Sequence, residues 1–531
     1  MKLKYILFSA LISSVFFSSC QDLEEDPRSR LTPESFFNTP QELEGAIAAM
    51  YRKLAPDDAY GFTGGMTSYF GSDDLATHAG SNKGDFRDFD RLQGGAGNAS
   101  MTNQWNAQWK SIYQANAILS VIDNVKFTSD AEKNGAVGQA YFIRALCYYY
   151  MVRTFGDLPI VTEGIDVNDR PARQPVKDIY TIIVQDLQTA ETTLPESWPG
   201  QPGKATRYAA KALLADVYQT MAGWPINDAS NYALAAAKAK EVIDANKYRL
   251  VSNYGDVFKT NNNAESVFSL QFNIGGGLPR RMVGQAATPD EEESLAGDTG
   301  WGDFHSEIAF YRNAPKCERT NETFYTTLKK INKSTEPATF DLVPWDDMST
   351  LLQHPFYKKF RTGVAPEGTT EGDGINETEN TIIKMNASTN KTYDMIRYAG
   401  VLLNYAESSA MAGAPTAESY AAINQVRKRA GLPDLTPGLS QIAFRDSVVY
   451  ERAYEFAGEL GVRWFDIVRL QLLPQVIAAR VKGIYQVDQY WENELNPSYT
   501  SGEALQTRYL APIPQDEMDR NKEVWTQNPG Y

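Results

Sequence analysis

Histidine and cysteine are nearly missing from this chain, with three of each in 531 residues. The histidines, His78, His305 and His354, lie far apart and none stands in a metal-ligand spacing, so a zinc hydrolase of the H-E-x-x-H type is excluded. Neither G-x-S-x-G nor G-x-x-x-x-G-K-[ST] occurs, which removes the serine-hydrolase elbow and the phosphate-binding loop. Cationic charge is short too: 51 Lys and Arg stand against 66 Asp and Glu, a net charge of −15. No basic stripe is present to release counterions from a phosphate backbone, so nucleic acid is not a partner. Asp73 near His78 hints at a metal, but such short spacings arise by chance in any acidic loop. The stretch "EGDGINETE" has oxygen ligands for a weakly held structural calcium ion, without the spacing of an EF-hand loop. No motif calls for any other metal or cofactor.

Long apolar runs are lacking as well. The one at the start, Tyr5 to Phe17, follows Lys2 and Lys4 and falls short of the roughly 20 residues a spanning helix needs. It reads as a secretory signal over residues 1–19. Ser18 and Ser19 ahead of Cys20 look like a lipobox, in which the leader is cut and Cys20 becomes the acylated first residue. Phe17 departs from the Leu or Val usual there, and an ordinary cleaved signal is the competing reading. Acyl chains on Cys20 would hold the rest at a membrane surface, at about 0.8 kcal/mol per buried methylene. Only Cys147, in the apolar "YFIRALCYYYMV", and Cys317, in the polar "NAPKCERTNE", then remain. They are expected to stay unpaired, and the fold to do without a disulfide framework.

What the chain has in quantity is helical periodicity. In "NTPQELEGAIAAMYRKL", Thr39 and Glu42 make a capping box, Pro40 fits the first helical position, and Leu43, Ala46, Ile47, Met50, Tyr51 and Leu54 form one apolar stripe. Ser129 and Glu132 open another helix by the same pattern, which Gly156 and Pro159 end. Further helices are expected in "VKDIYTIIVQDLQTAETTL", "TRYAAKALLADVYQTMAG", "YALAAAKAKEVIDANKY", "MIRYAGVLLNYAESSAMAG", "AESYAAINQVRKRAG" and "AFRDSVVYERAYEFAGELGVRWFDIVRL". Ala and Gly at close-packing positions beside bulky Tyr or Leu point to stacked, degenerate, tetratricopeptide-like hairpins. Helix pairs are placed mainly within 40–58, 104–270 and 395–470. Loop-rich regions lie mainly within 60–100 and 274–390, with a strand in "AESVFSLQFN".

A family likeness rests on several of these stretches. "RYAGVLLNYAESSAMAG", "AAINQVRKRAGLP", "ERAYEFAGELGVRWFDIVRL" and the closing "YLAPIPQDEMDRNKEVWTQNPGY" resemble the SusD/RagB family of outer-membrane nutrient-binding lipoproteins. So do "DPRSRLTPESFF", "RALCYYYMVRTFGDLPIV", "ATRYAAKALLADVY" and "VIDANKYRLVSNYGDVF", in the family's order over residues 20–531. The resemblance implies a mostly α fold, a right-handed superhelix of four tetratricopeptide-like pairs supporting an inserted loop-rich ligand region. It implies a lipoprotein on the outer face of the outer membrane that captures glycans, or in some branches peptides. As the lid of a SusC-like TonB-dependent transporter, such a protein hands its ligand on. The acidic "QDLEED" after Cys20 looks like the family's export signal.

A sugar offers apolar C–H faces and a rim of hydroxyls, so a site for it needs an aromatic platform beside polar partners. Aromatics make up 12% of the chain, more than a bare scaffold needs. The first loop region offers Tyr69, Asp73, Asp74, Phe86, Arg87 and Phe89; the second offers Trp301, Tyr311 and Trp345. For Asp73 and Asp74, loop hydrogen bonding competes evenly with ligand contact. For Trp301, closure of the core competes evenly with stacking. Trp105, Trp109 and Tyr113, at four-residue spacing, read as a core stripe. Arg463, Trp464, Asp466 and Arg469 read as a buried ion pair and packing anchor. With no catalytic constellation in view, binding without turnover is expected. Carboxylates are too common here to exclude a glycosidase by themselves. An adaptor whose only ligand is the transporter is the remaining alternative.

Overall fold

The computed structural model describes residues 39–77, 82–162, 169–286, 301–332, 334–335, 339–346, 354–360, 388–459, 461–480 and 497–531. Cys20, "QDLEED", His78 and "EGDGINETE" lie outside them. The scaffold comprises α1 (Pro40–Arg52), α2 (Ala99–Val121), α3 (Asp130–Phe155), α4 (Val176–Thr193), α5 (Arg207–Met221), α6 (Asn231–Asp244), α7 (Tyr398–Ala412), α8 (Ala417–Arg429), α9 (Gln441–Glu455) and α10 (Val462–Arg469). From α1 to α8 each helix packs on the next, and α9 packs on α7.

Local chemistry starts these helices where the sequence places them. Thr39 and Glu42 close the expected box at α1, the Glu42 N–H donating to Thr39 Oγ1 at 3.3 Å and the Thr39 N–H to Glu42 Oε2 at 2.9 Å. Leu43, Ala46, Ile47 and Met50 are buried on one face of α1. Ser129 caps α3, but Glu132 turns its carboxylate to the N–H and hydroxyl of Thr128, so the reciprocal half of the second box is not made. The long periodic stretch at 443–470 is not one helix. Gly458 and Gly461 take φ of +72° and +78°, which break it into α9 and α10. A Cβ at Gly458 would lie 2.7 Å from the Tyr357 ring, so both the backbone and the close approach require glycine.

Of the two loop-rich regions predicted, 60–100 joins α1 to α2, and 274–390 falls within an insertion in the stack. α6 packs against α7 as closely as chain neighbours do, although residues 245–397 lie between them. A strand pair closes the insertion at its base, Ser266–Leu270 running antiparallel to Tyr393–Arg397. Phe268 from this pair packs on Phe142 of α3, with ring centres 4.8 Å apart. A hairpin, Thr327–Asn332 with Thr339–Pro344, and short helices at Ile308–Arg312 and Glu318–Thr323 add regular structure to a stretch read as loop. Among the described residues no helix is long and apolar enough to cross a membrane.

Buried charges rivet the insertion to the scaffold. Arg319 Nη1 lies 2.6 Å from Glu451 and 3.2 Å from Glu455, and Arg397 reaches Glu455 at 2.9 Å and Glu459 at 2.8 Å. Arg429 bonds both Glu265 and Glu455, and Lys359 holds Glu459 at 2.8 Å. Burial by itself would raise the Glu455 pKa, but Arg429, Arg397 and Arg319 outweigh it and hold the carboxyl down at about 2. Loss of one partner from such a cluster costs about 3–5 kcal/mol, because the remaining charge stays buried. Asp466 and Arg469 pair at 2.8 Å as expected, and Arg469 is clamped further by both oxygens of Glu407.

Candidate functional site

Residues 57–62, 76–77 and 83, from the loop between α1 and α2, meet residues 281–285 and 301–305 of the insertion. The Arg281 N–H donates to Gly61 O at 2.8 Å, the Trp301 N–H to Gly284 O at 2.7 Å and the Asp303 N–H to Gln285 O at 2.8 Å. Ala76 and His305 exchange both backbone bonds, at 2.8 and 2.9 Å, and Thr77 Oγ1 donates to Asp303 O at 2.6 Å. Backbone pairing of this kind sets the side chains that follow with little freedom.

Those side chains form a half-buried platform of rings and cations. Phe62 and Trp301 meet edge to face, 5.5 Å between centres and 80° between planes. The Arg281 guanidinium lies 4.9 Å from the Phe62 centre and 5.2 Å from that of Trp301, and Lys83 Nζ lies 5.2 Å from Phe62. Each cation also has a carboxylate: Arg281 pairs with Asp57 at 2.8 Å and Lys83 with Asp303 at 3.5 Å. Burial raises the Asp303 pKa to about 6 against the opposing pull of Lys83. The platform therefore combines aromatic faces, donors and acceptors with no net excess of charge. That mixture suits a neutral molecule with apolar faces and a hydroxyl rim.

Trp301 is the predicted residue that the structure brings to this platform. Tyr69 is fully buried, edge-on to Phe465 at 5.0 Å. Phe86 stacks on Phe70 at 4.3 Å, and Phe89 is buried in the same core. Trp345 lies in a small core with Ile308, Tyr325 and Phe356. Each of these rings finds enough apolar neighbours to leave water, so none presents a face to a ligand in this fold. Tyr311 is half-buried between Phe324 and Trp345, and Arg87 is half-buried on the short helix Gly84–Asp90. Asp74 is buried, accepting from Ser72 Oγ at 2.6 Å and the Gly458 N–H at 2.8 Å; burial raises its pKa to about 6. Asp73 takes Arg463 as an ion-pair partner, so that arginine does not join the Asp466 cluster. Phe62, Asp57, Lys83, Arg281 and Asp303 escaped the sequence reading, because no local pattern marks contacts between residues about 220 positions apart. Among the described residues no group of three or more His, Cys, Asp or Glu is placed to hold a metal ion.

Stacked helix pairs carrying a loop-rich insertion with a surface aromatic platform define a helical-scaffold binding fold. The sequence profile of the SusD family matches residues 352–531, and a second, described as starch-binding associating with outer membrane, matches residues 22–219. The chain belongs to the SusD family. It is 28% identical to SusD-like protein P2 of Formosa agariphila over the full length of both chains. Its fold matches a SusD homologue from Bacteroides thetaiotaomicron with a TM-score of 0.77 and 22% identity, covering 94% of this chain and 98% of that one. Surface glycan-binding protein A from the same organism, solved in complex with laminarihexaose, matches with a TM-score of 0.71 at 21% identity, over 93% and 100% of the two chains.

Proposed function

We propose that this protein is a surface lipoprotein that binds glycan without cleaving it and passes it to a SusC-like TonB-dependent transporter. The observation that carries the binding step is the Phe62–Trp301 platform, with Arg281 and Lys83 against its rings and Asp57 and Asp303 beside them. A pyranose ring stacks on the indole while its hydroxyls bond the Arg281 guanidinium, the Lys83 ammonium and the Asp57 carboxylate, with the buried Asp303 holding Lys83 in place. Stacking and hydrogen bonding of this kind need no cofactor. A relative described as starch-binding, which matches 27% of this chain, and a structural neighbour that holds laminarihexaose support the glycan reading. The description "starch-binding associating with outer membrane" supports the location, with Cys20 as the acylated anchor on the outer face. In the transport step the protein acts as a lid that swings on the tether after Cys20. Tyr311 and Arg87, both half-buried, are the other predicted residues proposed for ligand contact.

The test is titration calorimetry of the mature chain against a panel of neutral polysaccharides that includes laminarin and starch. Trp301→Ala and Arg281→Ala are expected to weaken binding at least about 10-fold with no change in melting temperature. Heat from peptides with none from any glycan would move the protein to the peptide-carrying branch. Release of shorter sugars would make it a hydrolase.

A further inference from the structure

The aromatic stripe of α2 does not end in the core. Trp105 is 2% exposed, Trp109 8% and Tyr113 45%, so the ladder climbs out of the scaffold. It emerges into a cleft of about 620 Å³ between α2, the segment around Pro171 and the short helix Gln515–Arg520. That size is typical of a small-ligand site. Trp109 and Tyr113 lie 5.8 Å apart with planes inclined by 35°, which makes a shallow trough of two ring faces. The trough is braced from behind, since Tyr148 meets Trp109 edge-on at 5.8 Å and Trp525 Nε1 donates to Pro171 O at 2.8 Å. Trp109 lines the cleft with its ring, while its indole N–H is turned into the protein and buried.

The rim is polar and of mixed sign. Arg520 donates to Glu517 at 2.8 Å and remains largely exposed, and Arg170 and Asp169 stand opposite. Glu517 and Asp169 oppose an anionic ligand, and the exposed guanidinium of Arg520 opposes a cationic one. A neutral molecule with apolar faces and a hydroxylated edge meets both walls and rim. The cleft also shares a brace with the Trp301 platform: Asp58 pairs with Lys110 of α2 at 3.1 Å, while its neighbour Asp57 pairs with Arg281.

We propose that the Trp109–Tyr113 cleft is a second, separate binding site for a neutral pyranose of the same glycan. It flanks the loop that carries Asp57 and Asp58. This rests on the reading that the chain binds glycan. Two sites on one rigid frame raise avidity for a long polymer through effective concentration, with no new contact at either site.

The test uses the mature chain with Tyr113→Ala, Arg520→Ala and Trp301→Ala variants. Each is titrated with the polysaccharide panel above and with hexasaccharides of the polymer that binds, and run on affinity gels. Hexasaccharide is expected to occupy two sites per chain, falling to one in Tyr113→Ala and to one in Trp301→Ala. Polymer affinity is expected to fall about 3- to 10-fold in Tyr113→Ala, the loss of one stacking contact. Arg520→Ala, which leaves the aromatic packing intact, weakens the same site. A single site abolished by Trp301→Ala and untouched by Tyr113→Ala overturns the second site and leaves the first standing. No binding across the whole panel overturns both. Unchanged sugar binding with loss of a co-purifying membrane protein in Tyr113→Ala also overturns it, assigning the cleft to protein docking.

Discussion

Asp73 and Arg463, 390 residues apart, are joined by two parallel hydrogen bonds of 2.7 Å, Nε to Oδ1 and Nη2 to Oδ2. The pair ties the loop after Tyr69 to the first turn of α10, and both side chains are mostly buried. Planar two-pronged geometry makes this the strong form of a charged hydrogen bond. Asp73→Ala is expected to cost roughly 1.5–3 kcal/mol in urea unfolding and to leave glycan affinity unchanged. A fall in affinity with stability intact would return Asp73 to the ligand site.

Phe62 and Phe86 are two phenylalanines of the same region with opposite surroundings. Phe62 is half-buried on the platform with Trp301, whereas Phe86 is fully buried against Phe70. Phe86→Ala is expected to lose about 3–5 kcal/mol of stability, a cavity effect. Phe62→Ala should weaken glycan binding at least about 10-fold with little change in melting temperature. Calorimetry of both variants, by scanning and by titration, separates the two roles.

Gly458→Ala places a methyl group against the Tyr357 ring and forces a side chain into φ of +72°. Strain of the backbone alone costs about 1–3 kcal/mol. Tyr357 also donates to Asp74 O, so the shift is expected to loosen the loop at Asp74 as well as the turn between α9 and α10. Faster amide exchange at both places, with a lower melting temperature, is the expected readout.

Two sets of buried carboxyls give stability a maximum in mild acid. Burial raises Asp74, Asp303 and Asp394 to about 6 and Glu307 to about 7. Folded protein then holds protons that the unfolded chain has released, so stability falls as pH rises from about 4 to about 7. Glu455, held at about 2 by its arginines despite burial, works in the other direction. Its contribution is complete above the unfolded carboxyl pKa and is lost as pH falls through about 2. Melting temperature is expected to peak near about pH 4. In Glu455→Gln the acid limb of that profile should flatten.

Helix positions, caps and apolar stripes were legible because a helix is decided among residues three and four apart. Thr39 with Glu42 and the stripe from Leu43 to Met50 needed nothing from the rest of the chain. The alternation around Ser266–Leu270 announced a strand for the same reason, although its partner at Tyr393–Arg397 could not be read from it. The break at Gly458 and Gly461 was missed because apolar periodicity continues across it; positive φ at two glycines interrupts the helix.

The candidate site was legible only in kind. Composition and the loop regions pointed to aromatic stacking, and Trp301 was among the residues named. Whether a ring in those loops becomes core or platform depends on what the fold places against it. Phe70 covers Phe86, while Phe62 has Trp301, Arg281 and Lys83 for neighbours and remains half-buried. The sequence by itself determined the helices and the chemical character of the loops, since both follow from near neighbours and from composition. Tertiary structure alone decided which aromatics and charges share a surface, because those contacts join residues hundreds of positions apart and depend on how α6 and α7 close around the insertion.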